Sequence, residues 1–215
     1  MIRSTLDALA SAVAALAAAS VLAACAPLVM GGVVVGGLVA TDRRTTGTQV
    51  EDQSIELKAS SRVSELATLG HVSVVSYNRT LLITGEVPDA NEKARVERAV
   101  AGIEGVRGVV NELGIGRNSS MGSRSNDTFI AGKISATLLD APDLQSNAFK
   151  IVVERAVVYL MGRVTEREAL RATEIARSIS GVQKVVQMFE ILTEAELAAL
   201  GSATAAPAAA ASAPR

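Results

Sequence analysis

Leu81-Leu82-Ile83-Thr84-Gly85-Glu86-Val87 and Val158-Tyr159-Leu160-Met161-Gly162-Arg163-Val164 are one seven-residue element written twice. Each is an apolar run closed by a glycine, a charge and a valine. Downstream, Ile103-Glu104-Gly105-Val106-Arg107-Gly108-Val109-Val110 aligns with Ile179-Ser180-Gly181-Val182-Gln183-Lys184-Val185-Val186. Val87 and Val106 are 19 residues apart and Val164 and Val182 are 18 apart, so one residue is deleted between the blocks. Upstream, Asp52, Ile55 and Lys58 match Asp127, Ile130 and Lys133 at an offset of 75. The middle of the chain is therefore a duplicated supersecondary unit.

Working outward from these blocks gives the same elements in both copies. Apolar residues spaced by three and four predict a first helix over Gln49–Ala67 (Ile55, Ala59, Val63, Leu66) and over Asn126–Asp140 (Ile130, Ile134, Leu138). Two short strands follow, His71–Ser76 with Thr80–Glu86 and Ala148–Val153 with Ala156–Gly162, each pair close enough for a hairpin. A second helix is expected over Asp89–Gly102 and Glu166–Ser180, started at Pro88-Asp89 and Thr165-Glu166. A last strand runs Val106–Leu113 and Val182–Leu192. The order α-β-β-α-β defines an α+β fold, two tandem units, each a three-stranded mixed sheet with two helices on one face. The units are placed at 48–113 and 126–192, joined by the Gly/Ser-rich linker 114–125 (GIGRNSSMGSRS), and are expected to fold as separate cores.

The two ends do not belong to this fold. Residues 1–24 read as an export signal, with Arg3 in the first region and an uncharged run from Ala8 to Ala24. Leu22-Ala23-Ala24-Cys25 resembles a bacterial lipobox, which implies cleavage before Cys25 and lipid on its thiol and new N-terminus. The residues alone also allow a plain secreted protein or an uncleaved anchor. Residues 25–47 are expected to be the lipidated Cys with an apolar, Gly-rich linker, since 26–40 (APLVMGGVVVGGLVA) is too short to span a bilayer unaided. Ala26 after the Cys would, by the lipoprotein sorting rule, imply the outer membrane. The Ala-rich stretch 193–215 is expected to be a disordered tail.

Composition removes several functions. With 21 basic and 22 acidic residues there is no general polyanion-binding surface, and aromatics at 2% leave little to stack on bases, so no nucleic-acid partner is expected. One Cys and one His supply neither a zinc site nor a catalytic thiol pair. His71 has no second His and no carboxylate cluster at ligand spacing around it. No phosphate-cradling glycine motif occurs. The sequence offers no catalytic residue, no cofactor site and no metal site, and a non-enzymatic protein is expected.

The central Gly after the second strand (Gly85, Gly162), the Val two residues on and the I-x-G-V-x-x-V-x-N/Q block together resemble the BON domain. The stretches Ala40–Thr45, Gly47–Val50, Ser125–Thr128 and Leu160–Glu168 extend the resemblance to the dual-BON outer-membrane lipoproteins of the DolP/YraP family. One departure is Phe129, where that family would carry a Trp. The resemblance implies a lipid-anchored protein at the periplasmic face of the outer membrane, binding anionic phospholipid through its second BON domain, supporting envelope integrity and enriched at the division site.

The two copies differ where that implication needs them to. On a wheel of about 100° per residue centred on Ile134, Ile130 and Leu138 fall within ~40°, whereas Phe129, Gly132, Ala136 and Leu139 lie ~140–160° away and Lys133 ~100° away. Arg124 is expected just before this helix. Copy one has Ser54, Leu57 and Ser61 at the positions of Phe129, Gly132 and Ala136, and no aromatic. Residues 48–116 hold 7 basic and 10 acidic groups, residues 126–192 hold 8 and 8, so copy one is repelled more by an anionic surface. An outward aromatic with flanking cations suits a membrane interface, and the candidate lipid-binding residues are Arg124, Phe129, Gly132, Lys133, Ala136 and Leu139. On the wheel alone, packing of Phe129 against copy one or the linker stays open. The alternative function is a protein-interaction adaptor for envelope assembly or cell-wall remodelling factors.

Overall fold

The computed structural model describes residues 42–66 and 69–200. The signal segment, Cys25, the Gly-rich run 26–40 and residues 201–215 lie outside the described residues. Copy one is α1 (Thr46–Glu65), β1 (His71–Tyr77), β2 (Thr80–Val87), α2 (Ala90–Ala101), β3 (Gly108–Asn111) and β4 (Gly114–Ile115). Copy two is α3 (Met121–Asp140), a short 3-10 turn (Ser146–Ala148), β5 (Phe149–Glu154), β6 (Val157–Val164), α4 (Glu166–Ser178) and β7 (Lys184–Ile191). In each sheet the central strand pairs antiparallel with its hairpin partner and parallel with the last strand, as β1-β2-β3 and β5-β6-β7. The expected order and mixed sheets are found in both copies.

Several boundaries differ from the sequence reading by two or three residues, and three differences change the architecture. The first helix of copy two begins at Met121 rather than Asn126, with Ser120 as its cap accepting from the Ser123 amide. The segment 114–125 is therefore not a free joint. Gly114–Ile115 continues copy one's sheet beside β2, and 121–125 is helix. At the other end, 194–200 is helical, opened by Thr193 and Glu196 in a reciprocal cap, where the tail was expected to start.

Each hairpin turns tightly through two residues with positive φ, Asn78-Arg79 and Arg155-Ala156. None is glycine, so the left-handed turn needs support from elsewhere. It comes from the first helix. Asp52 accepts from the Asn78 and Arg79 amides at 2.8 and 2.7 Å. Asp127 accepts from the Arg155 and Ala156 amides at 2.9 Å each. This explains the repeated Asp at offset 75. Gly85 serves the strand differently: its φ is +112°, and a Cβ there would collide with the His71 carbonyl oxygen.

Each copy buries its helices on one sheet face. Ile55, Ala59, Val63, Leu81, Ile83, Val96 and Val100 form one core. Ile130, Ile134, Leu138, Val158, Leu160, Ala172 and Ala176 form the second. The two cores are distinct, and they are not the whole of the buried apolar surface. A third apolar cluster, Tyr77, Leu82, Tyr159 and Met161, flanked by Val75, Val110, Val152, Val186 and Met188, contains strand residues of both copies and no helix residue. The two sheets thus pack through their second faces, giving four layers, helices–sheet–sheet–helices. The Tyr77 hydroxyl lies 3.5 Å from the Ala148 carbonyl and accepts from the Arg163 amide at 3.3 Å.

Candidate functional site

The sequence of α3 sorts cleanly onto two faces. Ile130, Ile134 and Leu138 are fully buried, and Phe129 and Leu139 are 60% and 72% exposed. Gly132, Lys133 and Ala136 are exposed as well. The Lys133 ammonium sits 4.3 Å from the centre of the Phe129 ring, one turn away on the same side, a cation–π pair in the open. The structure therefore brings together Phe129, Gly132, Lys133, Ala136 and Leu139 on one outward stripe. It does not bring Arg124 to them. Arg124 lies within α3, ~140° around the helix from Phe129 at about 100° per residue. It is half-buried and donates to the Ser119 carbonyl at 3.2 Å.

One residue of the stripe was missed. Met121, 76% exposed, lies at the same angular position as Leu139 and extends the outward face about two turns toward the start of the helix. It was hidden because the helix was expected to start after it. The signal available was Ser120 three residues before Ser123, a cap written into a stretch that reads as linker. Copy one carries Val50 and Leu57 outward on α1, without an aromatic.

Behind this face, the segment leading into α1 crosses to copy two. The Arg43 guanidinium is gripped by Glu168 through two hydrogen bonds of 2.7 and 2.8 Å, and donates to the Arg163 carbonyl at 2.9 Å and the Gln145 side chain at 3.2 Å. Arg163 returns a bond to the Arg43 carbonyl at 2.9 Å. Burial alone would raise the Glu168 carboxyl, but Arg43 and the Thr165 amide hold it below the usual carboxylate range. Next to it, Arg44 bonds Asp42 and Asp52 and lies 4.2 Å over the Tyr77 ring. Asp42 and Arg44 also line an open groove with Ser135, Leu139 and Lys150. The lead into α1 thus lies beside the C-terminal end of α3.

The opposite end of the junction is acidic. Glu86, almost fully buried, accepts from the Ser119 amide at 3.1 Å and from its hydroxyl, and lies 3.7 Å from the Arg155 guanidinium. Among the described residues no group of three His, Cys, Asp or Glu side chains could hold a metal ion, and no helix is long and apolar enough to cross a membrane.

Two helix-backed α-β-β-α-β units, stacked sheet to sheet, with one outward apolar helix face, match the BON domain at residues 51–117 and 126–193. The chain belongs to the BON-domain family, as a tandem pair of the DolP type. It is 36% identical over 174 residues to the Outer membrane lipoprotein DolP of Haemophilus influenzae, covering 80% of this chain and 90% of that one. It is 31% identical over 150 residues to a 21 kDa hemolysin of Actinobacillus pleuropneumoniae, covering 68% and 77%. A solved domain of CdsD, described as a structural protein of the type III secretion system of Chlamydia trachomatis, overlays on 67% of this chain at TM-score 0.29 and 9% identity, too loose a likeness to bear on function.

Proposed function

We propose that this chain is a non-catalytic, lipid-anchored protein of the outer membrane's periplasmic face, held by acylated Cys25, that binds anionic phospholipid through its second BON domain and supports outer-membrane integrity. Enrichment at the division site belongs to the same reading. The observation that carries it is the α3 stripe: Phe129 and Leu139 stand out from a folded helix whose opposite face is fully buried, with Lys133 beside the ring. A ring at the acyl boundary beside an ammonium at the phosphate level is what an anionic interface accepts. Acyl chains and helix face act as two linked signals, since one acyl chain alone holds a protein only marginally. Arg124, committed to Ser119, contributes charge from behind the face and no direct contact.

The test uses the full chain carrying Cys25→Ser, so that no acyl chain contributes, with vesicles of phosphatidylglycerol or of phosphatidylcholine. Binding is expected for the anionic vesicles only, and Phe129→Glu abolishes it with the fold intact. Lys133→Glu weakens it most at low salt, and Ser54→Glu in copy one leaves it unchanged. Equal binding by the wild type and Phe129→Glu would refute the lipid face. Loss of a protein partner by Phe129→Glu or Leu139→Glu, with vesicle binding intact, would put the adaptor reading in its place.

A further inference from the structure

Where the end of β2 meets the turn before β6, three carboxylates, Glu86, Asp127 and Glu154, meet three guanidiniums, Arg117, Arg124 and Arg155. Asp127 is occupied by the Arg155 and Ala156 amides, and Glu86 by Ser119 and Arg155. The third, Glu154 at the end of β5, is different: its Oε1 is buried and has no hydrogen-bond partner. The Nε of Arg124, on α3, is buried and unpartnered too, and the two side chains line one recess with Asp127, Thr128 and His71 of β1. Arg117 lies with Glu86, Asp127 and Arg155 in the neighbouring recess. Tyr159, within reach of Glu112, closes the cluster from the sheet interface and is neutral there. Burial, with the Glu86 and Asp127 charges added, holds the Glu154 carboxyl above the usual carboxylate range, against the pull of Arg124 and Arg155.

We propose that Glu154 is a proton-operated latch on this end of the domain junction. Neutral, it takes one negative charge away from beside Glu86 and Asp127 and lets Glu86 hold the lead into α3 through Ser119. Charged, it adds a third negative charge to a half-buried site and loosens that lead. A carboxyl raised in the folded state stabilises below its ordinary range, and the stabilisation is lost as pH rises through the raised value. The latch therefore closes on acidification and opens toward neutral and alkaline pH. The surroundings assign the proton to Glu154, since the other two carboxylates are already engaged by N–H and O–H donors. This inference does not rest on the lipid reading.

The experiment compares the full chain carrying Cys25→Ser with the same chain carrying Glu154→Gln, an isosteric stand-in for the neutral carboxyl. Amide hydrogen exchange at Ser119, corrected for the intrinsic pH dependence of exchange, is read at pH 5 and pH 8. Protection is expected to fall with rising pH when Glu154 is present and to stay at its pH 5 level with Gln. The side-chain carboxyl of Glu154, followed by NMR in the unsubstituted chain, should titrate above the other glutamates. Identical Ser119 protection in both chains at both pH values, or titration of Glu154 within the ordinary carboxylate range, would overturn the latch.

Discussion

Arg43→Ala removes one half of the buried pair that ties the lead of α1 to copy two. Arg43 is 8% exposed and Glu168 3%, so the carboxylate left behind stays out of water. Breaking a buried pair by deleting one partner costs ~3–5 kcal/mol, most of it the orphaned charge. For a two-domain fold of this size each kcal/mol lowers the melting temperature by ~2–4 °C, so the loss should be ~6–20 °C. Glu168→Gln separates the charge from the shape, because Gln can keep the capping box that Glu168 forms with Thr165. The double variant Arg43→Ala/Glu168→Gln should therefore melt above Arg43→Ala alone. The pH dependence has a definite sign. The Glu168 carboxyl is lowered on folding, so its stabilisation is present above the ordinary carboxylate range and is lost as pH falls through the lowered value. The gap between wild type and Arg43→Ala should close in acid. Calorimetry on the chain carrying Cys25→Ser reads all four proteins. An Arg43→Ala variant that melts with the wild type at neutral pH, or below which the double variant falls, would refute the pair as a clamp.

Asp127→Ala should cost ~1–3 kcal/mol by leaving the Arg155 and Ala156 amides unpaired, measured by urea unfolding, and Ala156→Gly should recover part of it by relieving the positive φ. Gly85→Ala, which forces a Cβ onto the His71 carbonyl at φ +112°, should abolish soluble expression or lower the midpoint of unfolding far more than Gly132→Ala, which meets nothing within 4 Å. Met161→Asp places a charge in the sheet–sheet cluster, where Met161 is 1% exposed. It should replace a single unfolding transition with two, seen by calorimetry.

The fold was legible because its signals are local. Three-and-four spacing on α1 and α3, and apolar runs ended by Gly-x-Val, fix helices and central strands whatever surrounds them. The outward face of α3 was legible for the same reason, since burial of Ile130, Ile134 and Leu138 sets the whole wheel. The junction was not read, although part of its signal was present. Leu81-Leu82-Ile83 and Val157–Met161 are continuous apolar runs rather than alternating ones, the mark of a strand covered on both faces. In the structure β2 is buried from Leu81 through Val87. Arg124 was misplaced because Gly122 and three serines made the start of α3 look like loop, and a single capping Ser120 outweighs that composition only when the helix has a sheet to pack on.

The junction also explains why the two copies are no longer interchangeable. Glu86 and Arg163 occupy the same place in the repeat, one residue after the strand glycine, and both lie on the sheet face that meets the other copy. Each captures the lead into the other copy's first helix. Glu86 takes the Ser119 amide and hydroxyl ahead of α3, while Arg163 gives to the Arg43 carbonyl ahead of α1. One position thus accepts and its counterpart donates, and the surroundings follow suit: Arg155 stands beside Glu86, and Glu190 beside Arg163 at 2.9 Å. Glu86 can only accept and Arg163 can only donate, so the two copies hold each other's leads through opposite halves of the same kind of bond. The two positions are therefore no longer interchangeable: exchanging Glu86 and Arg163 would set a donor against the Ser119 N–H and an acceptor against the Arg43 carbonyl.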